Sequence, residues 1–379
     1  MMIKNKIVII TPFYPPNVGG VETHLKYYTD FLAEKNINAA ILTYKPLTTT
    51  VSGWKKYEKI NSVEIYRFWW WGKTLFEKFA KYSAIEFLYM VPKLLWHTSV
   101  YSIKNRKEIK NYHAHGLISA CIVRLVTIFI KRKKVVSTHF IYNLKERGFF
   151  TKIFLWIFND FDLVLAVGKD SKKDLMSVGY PENKIKIYRH SIDNQILFIV
   201  KNKHEIRKKY SISDNDFVVL FVGRLLEMKG VVKLVNVAKN NPNIKFVFVG
   251  SGVLEGFLRD ASRKYSNIIL YGKKFGKDLV DIYNLSDVVA LPSTEEGSSL
   301  VVIEALSCGK PVIVTKYGCS KDMFPDNLGK KIEPTEQGIK DGIQELQKDD
   351  LQKISIDCRE FALNNYSHSN LEEILNNFI

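Results

Sequence analysis

Short apolar runs alternate with longer amphipathic stretches along the whole chain, and the alternation starts afresh at Phe217. The runs of the first half fall at 6–11, 38–43, 62–67, 112–114, 134–137 and 163–166. Those of the second half fall at 217–223, 245–250, 268–272, 288–291 and 312–315. Runs this short, continuous and rich in Val and Ile read as strands buried on both faces, the mark of a parallel sheet covered by helices. Strands alternating with helices imply a doubly wound α/β sheet, and the restart implies two of them. The boundary between them is expected near residues 193–204, and residues 350–379 read as helical.

Ligands of doubly wound sheets bind beyond the carboxyl ends of the strands, so residues just after each run carry the functional information. After run 288–291 comes Pro292-Ser293-Thr294-Glu295-Glu296-Gly297-Ser298-Ser299-Leu300, then Glu304. Gly297-Ser298-Ser299 predicts a tight turn, with Ser298 or Ser299 as N-cap of a helix over about 300–307 and Gly309 at its C-cap. A helix start aims unpaired N–H groups and a positive dipole end at the space above the sheet, which favours an anion. Two acids eight positions apart would, in isolation, be solvated surface groups. Their neighbours change that reading. Gly223-Arg224 and Lys229-Gly230 follow run 217–223, and an Arg fork with a Lys point charge suits a diphosphate. Gly250-Ser251-Gly252 follows the next run and is a weak signal alone. In the first half, Gly19-Gly20 permits close backbone approach, His113-Ala114-His115-Gly116 ends one run, and Ser137-Thr138-His139 ends another.

Together these segments resemble the retaining glycosyltransferases of the GT-B class, group 1 or family 4, which carry an E-x7-E block. The resemblance spans nearly the whole chain and is strongest over 217–320. It implies two Rossmann-like doubly wound domains facing across a cleft: an acceptor domain at 1–195, a nucleotide-sugar donor domain at 196–355, and a C-terminal helix, 356–379, crossing back to the first. It implies transfer of a sugar from a nucleotide-sugar to a hydroxyl with retention at the anomeric carbon. Arg224, Lys229, Gly19 and Gly20 would bind the donor diphosphate. Glu304 would hold the ribose, with Gly297, Ser298, Ser299 and Leu300 around the donor, and Gly250 and Gly252 would form the nucleotide turn. Glu296 and His115 would serve catalysis beside the donor sugar, and His139 would face the acceptor. Phe275, Tyr283 and Asp287 border the expected base region, and His24 reads as structural. Two departures stand out: Ser298 lies where many members carry Phe, and Arg189-His190-Ser191-Ile192-Asp193 keeps only the Asp of the family's Asn-Gly-Val-Asp. No Asp-x-Asp stands at a strand end, so no metal and no cofactor are expected.

Charge divides the chain unevenly. Of the net +17, residues 1–200 supply 31 Lys+Arg against 15 Asp+Glu, and the remainder 25 against 24. All six Trp (54, 69, 70, 71, 96 and 156) also lie in the first half. A cationic, Trp-rich half points to an anionic surface. Arg67-Phe68-Trp69-Trp70-Trp71-Gly72-Lys73 and Lys131-Arg132-Lys133-Lys134 are the segments that would meet a membrane. No nucleic-acid module accompanies the charge, so a nucleic-acid partner is not expected. The four cysteines lack C-x-x-C spacing and read as reduced, in a cytoplasmic protein peripheral on the membrane. A lipid-linked acceptor follows as an expectation. The rival readings are a nucleotide-sugar 2-epimerase on the same scaffold and a basic nucleic-acid-binding protein.

Overall fold

The computed structural model describes residues 5–49, 52–71, 83–192, 202–294 and 299–376. They form two compact units, one of residues 1–191 with 368–379 and the other of residues 192–367. The return to the first unit therefore starts at His368, later than the expected 356. Helix Leu351–Asn365 stays with the second unit because Arg359 donates to the carbonyl of Ser307 at 2.8 Å and Cys358 is fully buried.

The first unit is built on an eight-stranded sheet ordered β3-β4-β2-β1-β5-β6-β7-β8. Its strands are β1 (Lys6–Ile10), β2 (Ala39–Tyr44), β3 (Tyr57–Ile60), β4 (Val63–Phe68), β5 (Ile109–His115), β6 (Lys133–Ser137), β7 (Leu163–Ala166) and β8 (Ile185–Ile187). All pairings are parallel except that of β3 with β4. Alternate residues of β1 serve opposite layers, as a two-residue period requires. Val8 and Ile10 join the core under helices α2 (Ser83–Lys104), α3 (Gly116–Thr127) and α4 (Phe149–Phe158). Ile7 and Ile9 join the core under α1 (Gly20–Glu34) and the C-terminal helix Ser369–Asn376, which buries Leu371, Ile374 and Leu375.

The second unit holds six parallel strands ordered β11-β10-β9-β12-β13-β14. They are β9 (Phe217–Val222), β10 (Ile244–Val249), β11 (Ile268–Gly272), β12 (Val288–Leu291), β13 (Val312–Thr315) and β14 (Gly329–Ile332). Numbered within the unit this is the 3-2-1-4-5-6 order of the Rossmann fold. Three strands escape the sequence reading: β3, β8 and β14. Each is short, lies at a sheet edge and carries charge, such as Lys330 and Lys331 in β14. Edge strands of that composition resist self-association but leave no apolar run to recognise.

Candidate active site

Strand order in the second unit reverses between β9 and β12, and the loops that follow these neighbours meet there. After β9 come Gly223, the exposed Arg224, and a 3-10 turn, Glu227–Lys229, ending at Gly230. After β12 the chain runs through Pro292 to Thr294. Thr294 N–H donates to the Met228 carbonyl at 3.0 Å, and the hydroxyls of Ser293 and Thr294 donate to the same oxygen at 3.3 Å. Thr315 in turn donates to the Ser293 carbonyl at 2.7 Å. Gly230 makes the approach possible: its φ is 75°, and a Cβ there would lie 2.3 Å from the Pro292 oxygen. Among the described residues the Arg224 side chain has neither a hydrogen bond nor an ion pair, so its five donors remain available to a ligand.

Gly250 and Gly252 join the turn after β10 to the turn after β9. A Cβ on Gly250 would sit 1.8 Å from the Gly223 oxygen, and one on Gly252 2.4 Å from the Leu225 oxygen. Leu225 N–H donates to the Ser251 carbonyl at 3.0 Å. Both glycines thus have a packing role that stands whatever they bind.

Helix α10 (Leu300–Ser307, the element that follows β12; α5 to α9 being Lys169–Ser177, Lys203–Lys209, Val231–Lys239, Glu255–Lys264 and Gly276–Leu285) starts at Ser299, whose side chain makes no cap bond. No cap side chain therefore covers its first-turn N–H groups, and of these Val302 N–H turns back onto the Ser299 carbonyl at 3.2 Å. Gly309, φ 66°, lies one residue beyond the observed C-cap, Cys308. In the second turn of α10, Glu304 is buried and accepts a hydrogen bond from Tyr283 on α9 at 2.7 Å. Burial pushes its carboxyl up to about 7, against the opposing pull of the Tyr283 hydroxyl. Glu296, Gly297 and Ser298 lie outside the described residues.

In the first unit the order reverses between β1 and β5. Gly19 and Gly20 follow β1 at the start of α1, and His115 closes β5 as the N-cap of α3. Five buried histidines gather here. His115 Nδ1 lies 3.2 Å from His139 Nε2. The Tyr188 hydroxyl stands 3.4 Å from His139 Nδ1 and 3.1 Å from His190 Nε2. His24 stacks on His190 at 4.4 Å between ring centroids, and His113 Nε2 meets the Ser137 hydroxyl at 2.8 Å. Burial, reinforced by neighbouring rings for all but His24, keeps the five neutral: His24 is lowered to about 4 and His139 to about 3, with His113, His115 and His190 lowered well below the ordinary range. Neutral imidazoles linked through Tyr188 form a continuous donor–acceptor chain from His115 to His190.

Family models match both units: Glycosyltransferase Family 4 over residues 18–195 and Glycosyl transferases group 1 over residues 202–365. The chain belongs to the group 1 glycosyltransferases of the GT-B fold. It is similar to an uncharacterized glycosyltransferase of Methanocaldococcus jannaschii, 25% identical over 83% of this chain and 81% of the relative. It is also similar to one component of the human phosphatidylinositol N-acetylglucosaminyltransferase, at 21% identity over 90% of this chain and 68% of that one. Among solved structures, sucrose-phosphate synthase from Thermosynechococcus elongatus superposes with a TM-score of 0.81 at 17% identity, covering 98% of both chains.

Within this glycosyltransferase, one expected neighbour of the site lies elsewhere. Asp287 stands at the amino end of β12, not beside the site: it pairs with Arg207 at 2.9 Å and Lys203 at 2.6 Å and accepts from Val218 N–H at 2.7 Å. Tyr283, a core-like position in the sequence, reaches Glu304, and no spacing rule foretells a contact 21 residues away. Tyr188 carries no motif that marks it as a site residue, and His190 lies in the loop that keeps only the Asp of the family's Asn-Gly-Val-Asp. Both nevertheless follow the edge strand β8, at the carboxyl end where ligand groups collect. Cys121, Cys308 and Cys358 are buried and unbridged. Among the described residues no group of three or more His, Cys, Asp or Glu is placed to hold a metal ion, and no helix is long and apolar enough to cross a membrane.

Proposed function

We propose that this glycosyltransferase moves a sugar from a nucleotide-sugar donor to a hydroxyl of a lipid-linked or membrane-associated glycan, with retention at the anomeric carbon and without a metal. The observation that carries this reading is the junction of the Arg224–Lys229 loop with the segment leading into α10 at the β9/β12 switch point. Charge that develops on a departing diphosphate needs fixed donors, and Arg224, Lys229 and the start of α10 supply them without a metal. Glu304 is placed in the second turn, where a carboxylate would accept from ribose hydroxyls. Glu296 is assigned to the donor sugar, stabilising positive character as the glycosidic bond breaks, with His115 as a sugar contact and His139 on the acceptor side. The similarity to a phosphatidylinositol-directed transferase and the cationic first unit support a lipid-linked acceptor. Peripheral attachment at the cytoplasmic membrane face follows from the same two points.

The test is transfer from a panel of labelled nucleotide sugars into lipid extract with EDTA present, for the parent and Glu304→Ala. Label that enters the organic phase from one donor, and is lost with the substitution, supports the reading. Donor consumed without acceptor, with the sugar epimerised, would replace it with the epimerase.

A further inference from the structure

Three helices cover one face of the first unit's sheet, and their outer surface is apolar where water should face polar groups. Along α2, Ile85, Leu88, Pro92, Trp96 and Ile103 recur at intervals of three, four or seven residues on one face. Leu88, Trp96 and Ile103 are 72%, 66% and 66% exposed. On α4 the inner residues Phe154, Ile157 and Phe158 fill the core, while Phe149, Ile153 and Trp156 stand outside, with Phe149 77% exposed. Large apolar groups left on the outer face of a packed helix call for a cover. Between these two helices, Ile128 and Phe129 follow the end of α3, the latter 89% exposed.

The charge around this face names the cover. Residues 83–160, which build the three helices and their connections, hold 13 Lys+Arg against 4 Asp+Glu. Lys104, Lys131, Lys133, Arg147 and Lys152, on these helices and their connections, are exposed. The Arg124 guanidinium lies 4.2 Å from the centroid of the Trp156 ring, so this pair carries cation and aromatic together. A protein partner would need only the apolar stripe. An anionic bilayer needs both features in one surface: aromatic and aliphatic groups at headgroup depth, and cations to draw it in. We infer that the outer face of α2, α3 and α4 is the surface by which this enzyme lies on an anionic membrane. This rests on the lipid-directed function proposed above and adds the element that does the docking. It also reassigns part of the sequence expectation. Arg132 spends its guanidinium on the carbonyls of Ile109, Arg106 and Lys131, and Lys134 pairs with Asp160 at 2.6 Å. Of that basic run, Lys131 and Lys133 are left to meet lipid.

Flotation of the whole chain with vesicles tests this, using phosphatidylcholine alone and phosphatidylcholine mixed with phosphatidylglycerol. Two double variants probe the face, Leu88→Ser with Trp96→Ser and Phe149→Ser with Ile153→Ser; Trp69→Ser with Trp71→Ser probes the rival segment. The expected result is binding of the parent to the anionic vesicles, weakened roughly tenfold or more in the first two variants and retained in the third, with thermal midpoints close to the parent's. Parent-like binding by both helix variants overturns the docking surface but leaves the lipid-directed function standing. No parent binding to either vesicle also overturns it. So does a parent dimer that the helix variants dissociate, because the face is then a contact between copies. Vesicle binding without transfer into lipid extract would instead remove the proposed function and keep the surface.

Discussion

Glu304 shows how one residue's environment sets what it does. A buried carboxyl with a single hydroxyl donor is held at about 7, poised between its two forms at neutral pH. If the ionised form accepts the ribose hydroxyls, kcat/KM for the donor should rise with pH along a limb centred near 7. Tyr283→Phe removes the hydrogen bond that favours the carboxylate, so that limb should move to higher pH by about one unit. A purely structural tyrosine would lower stability and leave the limb where it was, and the pH profile distinguishes the two. Arg224 poses a simpler case. Its exposed side chain has no partner among the described residues to lose, so Arg224→Ala should leave the thermal midpoint nearly unchanged. Steady-state kinetics should nevertheless show kcat/KM for the nucleotide sugar falling about 10²-fold to 10³-fold.

At the scale of elements, the sequence is most legible where a strand is central and a helix amphipathic. Helix α10 runs over Leu300–Ser307, the span that its turn residues predict, because Ser299 and Gly309 punctuate it from both sides. Strands β9, β10 and β12 are equally plain, since burial on both faces leaves them largely apolar. The edge strands β3, β8 and β14 are hidden by the charges that protect them. The site is legible only in part for a different reason. Gly223, Arg224, Gly230 and Gly250 are local signals next to strands, whereas Tyr283–Glu304 and Tyr188–His190–His139 exist only once distant segments pack. Gly250 illustrates a signal whose cause lies in packing as much as in any ligand. A methyl group there would meet the Gly223 oxygen at 1.8 Å, at a φ of 141° that other residues avoid. Gly250→Ala should therefore cost several kcal/mol, about 3 or more, by the joint burden of strain and overpacking. Chemical denaturation of the variant would show a lowered midpoint; a midpoint equal to the parent's would mean that the β9 and β10 turns separate freely.

Over the whole molecule, the buried histidines of the first unit and the buried Glu304 of the second respond to acid in opposite directions. In the first, five of the chain's eight histidines are buried and neutral, with their protonation pushed below the ordinary 6.5, to about 4 for His24 and about 3 for His139. Unfolded chain takes up protons from pH 6.5 downward while the folded unit does not, so stability falls as pH falls through that window. Each histidine contributes at most about 1.4 kcal/mol per pH unit, and five together as much as about 7. A domain stabilised by about 5–15 kcal/mol has little margin against that slope. The second unit contains Glu304, raised to about 7 from 4.5. Its folded form holds the proton over this range, so that contribution is complete below 4.5 and is lost as pH rises through 7. Acid should thus unfold the first unit before the second. The six Trp make the order visible, since all of them belong to the first unit. Their emission should change at a higher pH than the bulk of the far-ultraviolet circular dichroism, and His190→Asn, which removes one suppressed proton site, should bring the emission midpoint down. If both signals move together and His190→Asn leaves them in place, the histidines protonate without cost and the cluster is wetter than its burial implies.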